Sequence, residues 1–207
     1  MKFDLHTHTA RHSPDADSDP FELVRSAIKA GLDGLVITEH DFLWTEEELR
    51  ELRASAPGFV ILAGVEVTGR GGDMLCYGIT NPFALPRGIE WSELTREVQK
   101  QGGACVAAHP NRWNQPFERL LSEQNPELDG IEVMSNNMDA SLRTQAAKLL
   151  QKFPQFAQLG NSDSHQPDTV GCCYTEFDAV IRTNADLVAA IKAKKGIARA
   201  NQYAHRT

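Results

Sequence analysis

No stretch of this 207-residue chain approaches the roughly 20 consecutive apolar residues of a membrane-spanning helix. The N-terminus carries no apolar signal core either, so a cytoplasmic location without a membrane partner is expected. Cysteine is scarce, with four residues, Cys76, Cys105, Cys172 and Cys173, in no C-x-x-C spacing. The adjacent pair would close only as a strained disulfide, so reduced, buried thiols are expected. An excess of positive charge is also missing. A net charge of −7 argues against long nucleic acid held stably on a broad basic face, though not against an anionic substrate at one cationic spot. Repeats, low-complexity segments and a dividing linker are absent. One domain over residues 1–207 is expected, long enough to build a core without disulfides.

What is present is a pattern of histidines and acids at the ends of apolar segments. Phe3 and Leu5 alternate as in a strand with one buried face, and His6 and His8, two apart, project on the same side where it ends. Asp163 and His165 repeat that spacing after the largely apolar Phe156–Gly160. Between them, His40 follows Leu35–Thr38, Glu66 follows Val60–Val65, and His109 follows Cys105–Ala108.

Helical signals fall between these segments. Asp19-Pro20 reads as an N-cap with proline in the first turn, before a stripe of Phe21, Val24 and Ile28 widened by Ala27. Thr45 with Glu48 forms a capping box. Leu94 and Val98 mark a third helix, residues 117–123 a short one, and Leu142, Ala146, Leu149 and Leu150 another. Thr183 or Asn184 opens a last helix running to Lys195. Gly71-Gly72 turns the chain back into a strand from Met74 that Asp73 begins, Gly130–Met134 is a strand containing Glu132, and Cys173–Phe177 is a late strand. About seven strand–helix units predict α/β architecture with a largely parallel sheet, closed or nearly closed as a barrel, with chemistry at the strands' C-terminal ends. A doubly wound open sheet is the second choice.

A lone histidine is more often a surface or core residue than a ligand, and that bland reading suits His12 and His205. The set resists it, because five imidazoles and at least three carboxylates crowded at one rim need compensation of the kind divalent metal supplies. Imidazole and carboxylate without thiolate favour Zn²⁺, Mn²⁺ or Fe²⁺. The candidates exceed the needs of one four-coordinate ion, so two or three ions sharing a carboxylate are expected.

The segments Asp4-Leu-His-Thr-His-Thr9, Ile37-Thr-Glu-His-Asp41, Gly64-Val-Glu-Val67, Ala108-His-Pro110, Ile131-Glu-Val133 and Gly160-Asn-Ser-Asp-Ser-His165 together resemble the PHP (polymerase and histidinol phosphatase) domain family. The resemblance implies a distorted (β/α)7 TIM-like barrel with up to three metals at its C-terminal rim. It implies that His6, His8, Glu66 and Asp163 hold one ion, that Glu66 bridges to a second completed by His109, and that Asp15, His40 and His165 hold a third. Asp73 stands where many relatives have a histidine ligand. Asp17 and His12 are alternatives to Asp15, and Glu132 is open between ligand, supporting and structural roles.

The activity expected is phosphoester hydrolysis by a metal-bound hydroxide at Glu66, His109 and Asp163. Four carboxylates against three divalent ions would leave the pocket locally positive, able to attract phosphate despite the acidic surface. Arg112 is the candidate phosphate clamp against a solvated loop arginine, and Arg11 a weaker one. Trp44 and Trp113 could stack on a ring or simply pack as wall. The substrate is expected to be a small phosphomonoester, such as histidinol phosphate, or a nucleotide or short oligonucleotide. Amidohydrolase-like C–N hydrolysis and a non-catalytic, metal-stabilised module are the rival readings.

Overall fold

The computed structural model describes residues 1–201; His205 lies outside them. The elements run β1 (Lys2–Thr7), α1 (Pro20–Lys29), β2 (Gly34–Ile37), α2 (Glu46–Ser55), β3 (Val60–Gly69), β4 (Gly72–Tyr77), α3 (Trp91–Lys100), β5 (Ala104–Ala107), α4 (Phe117–Gln124), β6 (Gly130–Met134), α5 (Ala140–Lys152), β7 (Ala157–Gly160), β8 (Cys173–Phe177), α6 (Asn184–Lys192) and β9 (Gly196–Ala200). Side chains set the helix starts. Asp19 accepts from the backbone N–H groups of Phe21 and Glu22, and the pairs Thr45–Glu48 and Thr183–Asp186 close capping boxes on α2 and α6.

The strands form one nine-stranded sheet in the order β7-β6-β5-β4-β3-β2-β1-β8-β9. Pairing is parallel from β1 through β3 and from β5 through β7, and antiparallel at β4 and β8. β1, β2, β3, β5, β6, β7 and β9 therefore point one way, with β4 and β8 reversed. The two outermost strands then approach each other. Thr175 on β8 accepts from the Gly160 N–H at 3.1 Å and donates to the Gly160 carbonyl at 2.9 Å. A Cβ on Gly160 would lie 3.0 Å from that of Ala198 on β9, so glycine is what lets the seam draw together. The result is a nearly closed, barrel-like α/β fold.

Two expectations need correction, and one gains a direction. The last helix stops at Lys192, and Gly196–Ala200 forms β9 against β8, a pairing that short-range pattern does not announce. Strand β8, expected as a late strand, runs antiparallel to β1. On α1 the buried face is Leu23, Val24 and Ala27, while Ile28 is 46% exposed. The helix is rotated so that Leu23 replaces Ile28 in the stripe.

Apolar residues make three clusters. Phe3, Leu62, Leu75, Tyr77 and Val106 share one with Leu187, Val188 and Ile191, so α6 packs into the apolar interior from which the strands lead to the rim. α1 and α2 cover β2 and β3 with Leu23, Val24, Leu49 and Leu52, and α3 to α5 cover β4 to β6 with Trp91, Leu94, Phe117 and Leu149. All four cysteines are buried and free. Among the described residues no helix is long and apolar enough to cross a membrane.

Candidate metal centre

Period two does what the sequence suggests at β1: Phe3 and Leu5 are buried in the core, and His6 and His8 reach the rim where the strand ends. Backbone pairing continues beyond the regular strands. Thr7 bridges to Ser164 and His40 to Glu66, and the Asp41 N–H donates to the Glu66 carbonyl at 2.9 Å. These bridges bring the segments carrying His6, His8, His40, Glu66 and Asp163 side by side. His109 (φ 26°) and Asp163 (φ 54°) occupy left-handed backbone, a conformation costly for side-chain-bearing residues and concentrated at functional sites.

Three groups of ligand atoms cluster: His6, His8, Glu66 and Asp163; Glu66, Asp73 and His109; and His8, His40 and His165. In the first, the His6 Nε2 atom lies 3.3 Å from Glu66 Oε2 and 3.2 Å from Asp163 Oδ1, and the His8 Nε2 atom lies 3.3 and 3.4 Å from the same two oxygens. In the second, His109 Nε2 is 3.2 Å from Glu66 Oε1. Asp15 joins the third, its Oδ2 lying 3.2 Å from His40 Nε2 and 3.3 Å from His165 Nε2.

The other loop candidates are placed elsewhere. His12 donates to Glu48 at 2.7 Å and stacks on Phe42, and Asp17 is exposed, giving its backbone N–H to the His165 carbonyl. Arg11 lies over the Trp44 ring and toward Glu51, away from the cluster. Trp44 is buried and donates its indole N–H to Glu39, so it is wall. Trp113 is exposed, 5.8 Å from the His109 ring and 4.1 Å from the Arg112 guanidinium.

The charges of this metal-free arrangement hold one another. Burial alone would lower the His6 pKa, but Asp163, Glu66 and Glu132 overcome it and hold the imidazole well above its ordinary range. His40 is held up in the same way, against burial and by Glu66 and Asp15, to about 9. Burial would raise Glu66 and Asp163, yet the surrounding imidazoles push both well down. Asp73 goes the other way, raised by burial and by the neighbouring Glu66 charge.

A divalent ion fits these residues. His6 Nε2, His8 Nε2, Glu66 Oε2 and His109 Nδ1 are buried side-chain atoms without a hydrogen-bond partner, and the first three converge on one space. Unsatisfied buried polar atoms of this kind are rare and need an explanation. Coordination would supply it, with an ion taking the place of a proton between imidazole and carboxylate.

Glu132 resolves to a supporting role. Its Oε1 lies 3.1 Å from His6 Nδ1 and accepts from Asn161 Nδ2 at 2.7 Å, and its Oε2 accepts the His109 backbone N–H at 2.8 Å. Both oxygens are thus engaged away from the ligand space, and the contact to Nδ1 leaves His6 Nε2 facing it. Two functional neighbours escaped the sequence reading. Asn137 donates to Asp163 Oδ2 at 2.7 Å, and Arg143 fixes its loop by donating to the Ser135 and Met138 carbonyls. Asn137 follows β6 as His109 follows β5, a positional signal that its neutral side chain did not advertise. Arg112 Nη1 is 3.3 Å from Asp163 Oδ2, and beside it opens a cavity of about 340 Å³ lined by Asp15, Asn136, Asn137, His165, Gln166 and Thr169.

The model of the PHP-associated family matches residues 142–195, which include Asp163 and His165. An uncharacterized protein of Methanocaldococcus jannaschii is 26% identical over 170 residues, covering 76% of this chain and 96% of that protein. Among solved structures, a putative metal-dependent phosphoesterase from Bifidobacterium adolescentis is similar with a TM-score of 0.63 and 20% identity, over 79% of this chain and 87% of its own. An amidohydrolase from Chromobacterium violaceum, with bound sulfate and no metal, is similar with a TM-score of 0.68 and 17% identity over 100% of both chains. The family model thus covers part of the chain, residues 142–195, and the solved structures show that the fold is shared.

Proposed function

We propose that this PHP-type domain is a metal-dependent phosphoesterase acting on a small phosphomonoester or a nucleotide-type phosphoester. The observation that carries the reading is the convergence of buried His6 Nε2 and His8 Nε2 on Glu66 Oε2 and Asp163 Oδ1, at 3.2 to 3.4 Å, beside an opening lined by Arg112. His6, His8, Glu66 and Asp163 would hold one ion, Glu66, Asp73 and His109 a second, and Asp15, His40 and His165 a third. Bound Zn²⁺, Mn²⁺ or Fe²⁺ would supply positive charge for the phosphoryl oxygens and lower the pKa of water to about 7.

The chain's own groups do the rest. Arg112 presents a planar fork of N–H donors matched to phosphate oxygens, and its 3.3 Å contact to Asp163 supports a role beside the proposed ions. Asn137 steadies the Asp163 oxygen that Arg112 would release on taking up substrate. Asn136, Gln166 and Thr169 offer hydrogen bonds to the remainder of the molecule. At about 340 Å³ the cavity is at the small end of ligand sites, which suits a small phosphate ester better than a long nucleic acid. The Bifidobacterium protein described as a putative phosphoesterase supports this chemistry, and the guanidinium favours it over the C–N hydrolysis suggested by the Chromobacterium protein's name.

Elemental analysis of the purified protein, followed by assay of the metal-loaded form against phosphorylated metabolites, nucleotides and short oligonucleotides, tests the proposal. Hydrolysis of phosphoesters that chelation abolishes is expected. Turnover of amides or lactones with none of phosphoesters would transfer the site to the other class. Metal-loaded protein inert toward both, but losing thermal stability on chelation, would leave a binding module.

A further inference from the structure

Glu39 is a fully buried carboxylate that none of the three ligand groups includes. It sits between β2 and His40, and its hydrogen-bond donors are all neutral. Thr9 Oγ1 and Trp44 Nε1 donate to its Oε1 at 2.5 and 2.9 Å, and Ser13 Oγ and the Thr9 backbone N–H donate to its Oε2 at 2.5 and 3.1 Å. Two of these donors, the indole and the backbone amide, cannot reverse their polarity, and one falls on each oxygen.

The Ser13 hydroxyl is the informative neighbour. It has a single proton, and the 2.5 Å contact with Glu39 commits that proton to the carboxylate. Its lone pairs are then left for the His40 backbone N–H at 3.3 Å and the His8 Nδ1 atom, also at 3.3 Å. An acceptor beside Nδ1 requires His8 to carry its proton there. The lone pair of neutral His8 is thereby placed on Nε2, the atom that faces Glu66 Oε2 and Asp163 Oδ1 without a hydrogen-bond partner. His6 has the equivalent arrangement directly from Glu132 at 3.1 Å; His8 has it at one remove.

We propose that Glu39 is a positioning residue that sets the ring tautomer of His8 through the hydroxyl of Ser13, so that Nε2 is ready to bind a metal ion. The proposal rests on the metal-centre reading for its purpose, but the tautomer itself does not depend on a bound ion.

The test uses ¹⁵N-labelled protein and the imidazole ¹⁵N–¹H spectrum of His8, recorded metal-free above the pH at which the spectrum shows the ring to have lost its extra proton, and again with Zn²⁺. Wild type should show the Nδ1–H tautomer in both. Ser13→Ala leaves Glu39 its other three donors and should shift metal-free His8 to a mixed or Nε2–H form. Zn²⁺ affinity, measured by chelator competition, should fall about 10- to 100-fold, the range for loss of a partner that orients a ligand. Ser13→Thr keeps the hydroxyl and should restore both readouts. Glu39→Ala removes the acceptor of the Ser13 proton and should reproduce the Ser13→Ala spectrum if it folds; a folded Glu39→Ala protein that keeps the wild-type tautomer overturns the proposal, and if it does not fold, the Ser13 pair decides. A Ser13→Ala protein that keeps the Nδ1–H tautomer overturns the proposal. So does a folded Ser13→Thr protein that fails to recover it. Wild type that takes up no Zn²⁺, Mn²⁺ or Fe²⁺ but shows the expected metal-free tautomers would sink the metal reading and leave the relay standing.

Discussion

The inner and outer halves of the cluster use the same residue types in opposite settings. His6, His8, Glu66 and Asp163 have side chains no more than 2% exposed, whereas Asp15 is 56%, His40 29% and His165 25% exposed. The inner imidazoles are oriented from behind, His6 by Glu132 and His8 by Ser13. In the outer group, the His165 Nδ1 contact is to a backbone carbonyl, and Asp15 comes from a loop. Burial makes an unpaired charge costly and a coordinated ion correspondingly well held, while water competes at the rim. On the proposed reading, the inner half would hold a resident ion and the outer half one that exchanges.

The strongest way to break this contrast is to remove one carboxylate from each half. Asp163→Ala should strip the inner ion and lower turnover by at least about a thousandfold, whereas Asp15→Ala should cost about one metal equivalent and roughly tenfold in affinity for the outer ion alone. Metal analysis with steady-state assay reads both, and equal losses in the two variants would erase the distinction. Next in size, Arg112→Ala should raise KM for phosphoesters about 10- to 100-fold while metal content stays unchanged. An unaltered KM would remove the guanidinium from substrate binding.

The smallest expected effect is on stability in the metal-free protein. The His40 pKa is raised from 6.5 to about 9, opposed by burial and driven by Glu66 and Asp15. A folded-state pKa above the unfolded one contributes stability that is complete below pH 6.5 and disappears as pH rises toward 9. Urea unfolding midpoints of metal-free protein should therefore fall across that interval, and His40→Ala should flatten the fall. A midpoint that rises with pH would reverse the electrostatic assignment. Zn²⁺ should compete with those protons, so its affinity should climb over the same range.

Much of the rim was legible because its residues are chemically conspicuous and sit where apolar runs end. The His6/His8 and Asp163/His165 pairs needed only period two, and the capping residues Asp19, Thr45 and Thr183 needed only local hydrogen-bond chemistry. Ser13, Asn137 and Asn161 were not legible, because a hydroxyl or amide acquires a role from the partner it faces, and those partners are distant in the chain. Glu39 was visible as part of a motif yet had no assignable task until four donors were found around it. The choice of Asp15 over Asp17 and His12 depended on how one polar loop folds, and strand β9 on a pairing partner rather than on its own composition.

Periodicity, caps and residue chemistry are properties of a few neighbouring positions, so the amino-acid order alone determined where most strands and helices lie and that imidazoles and carboxylates follow several of the strands. Convergence is a property of the closed sheet. Only when β7 meets β9 at Gly160 and the rim bridges join Thr7 to Ser164 and His40 to Glu66 do these groups share one space. Distances of a few ångströms between residues more than a hundred positions apart arise from packing, and packing alone decided which groups face an ion and which hold those groups in place.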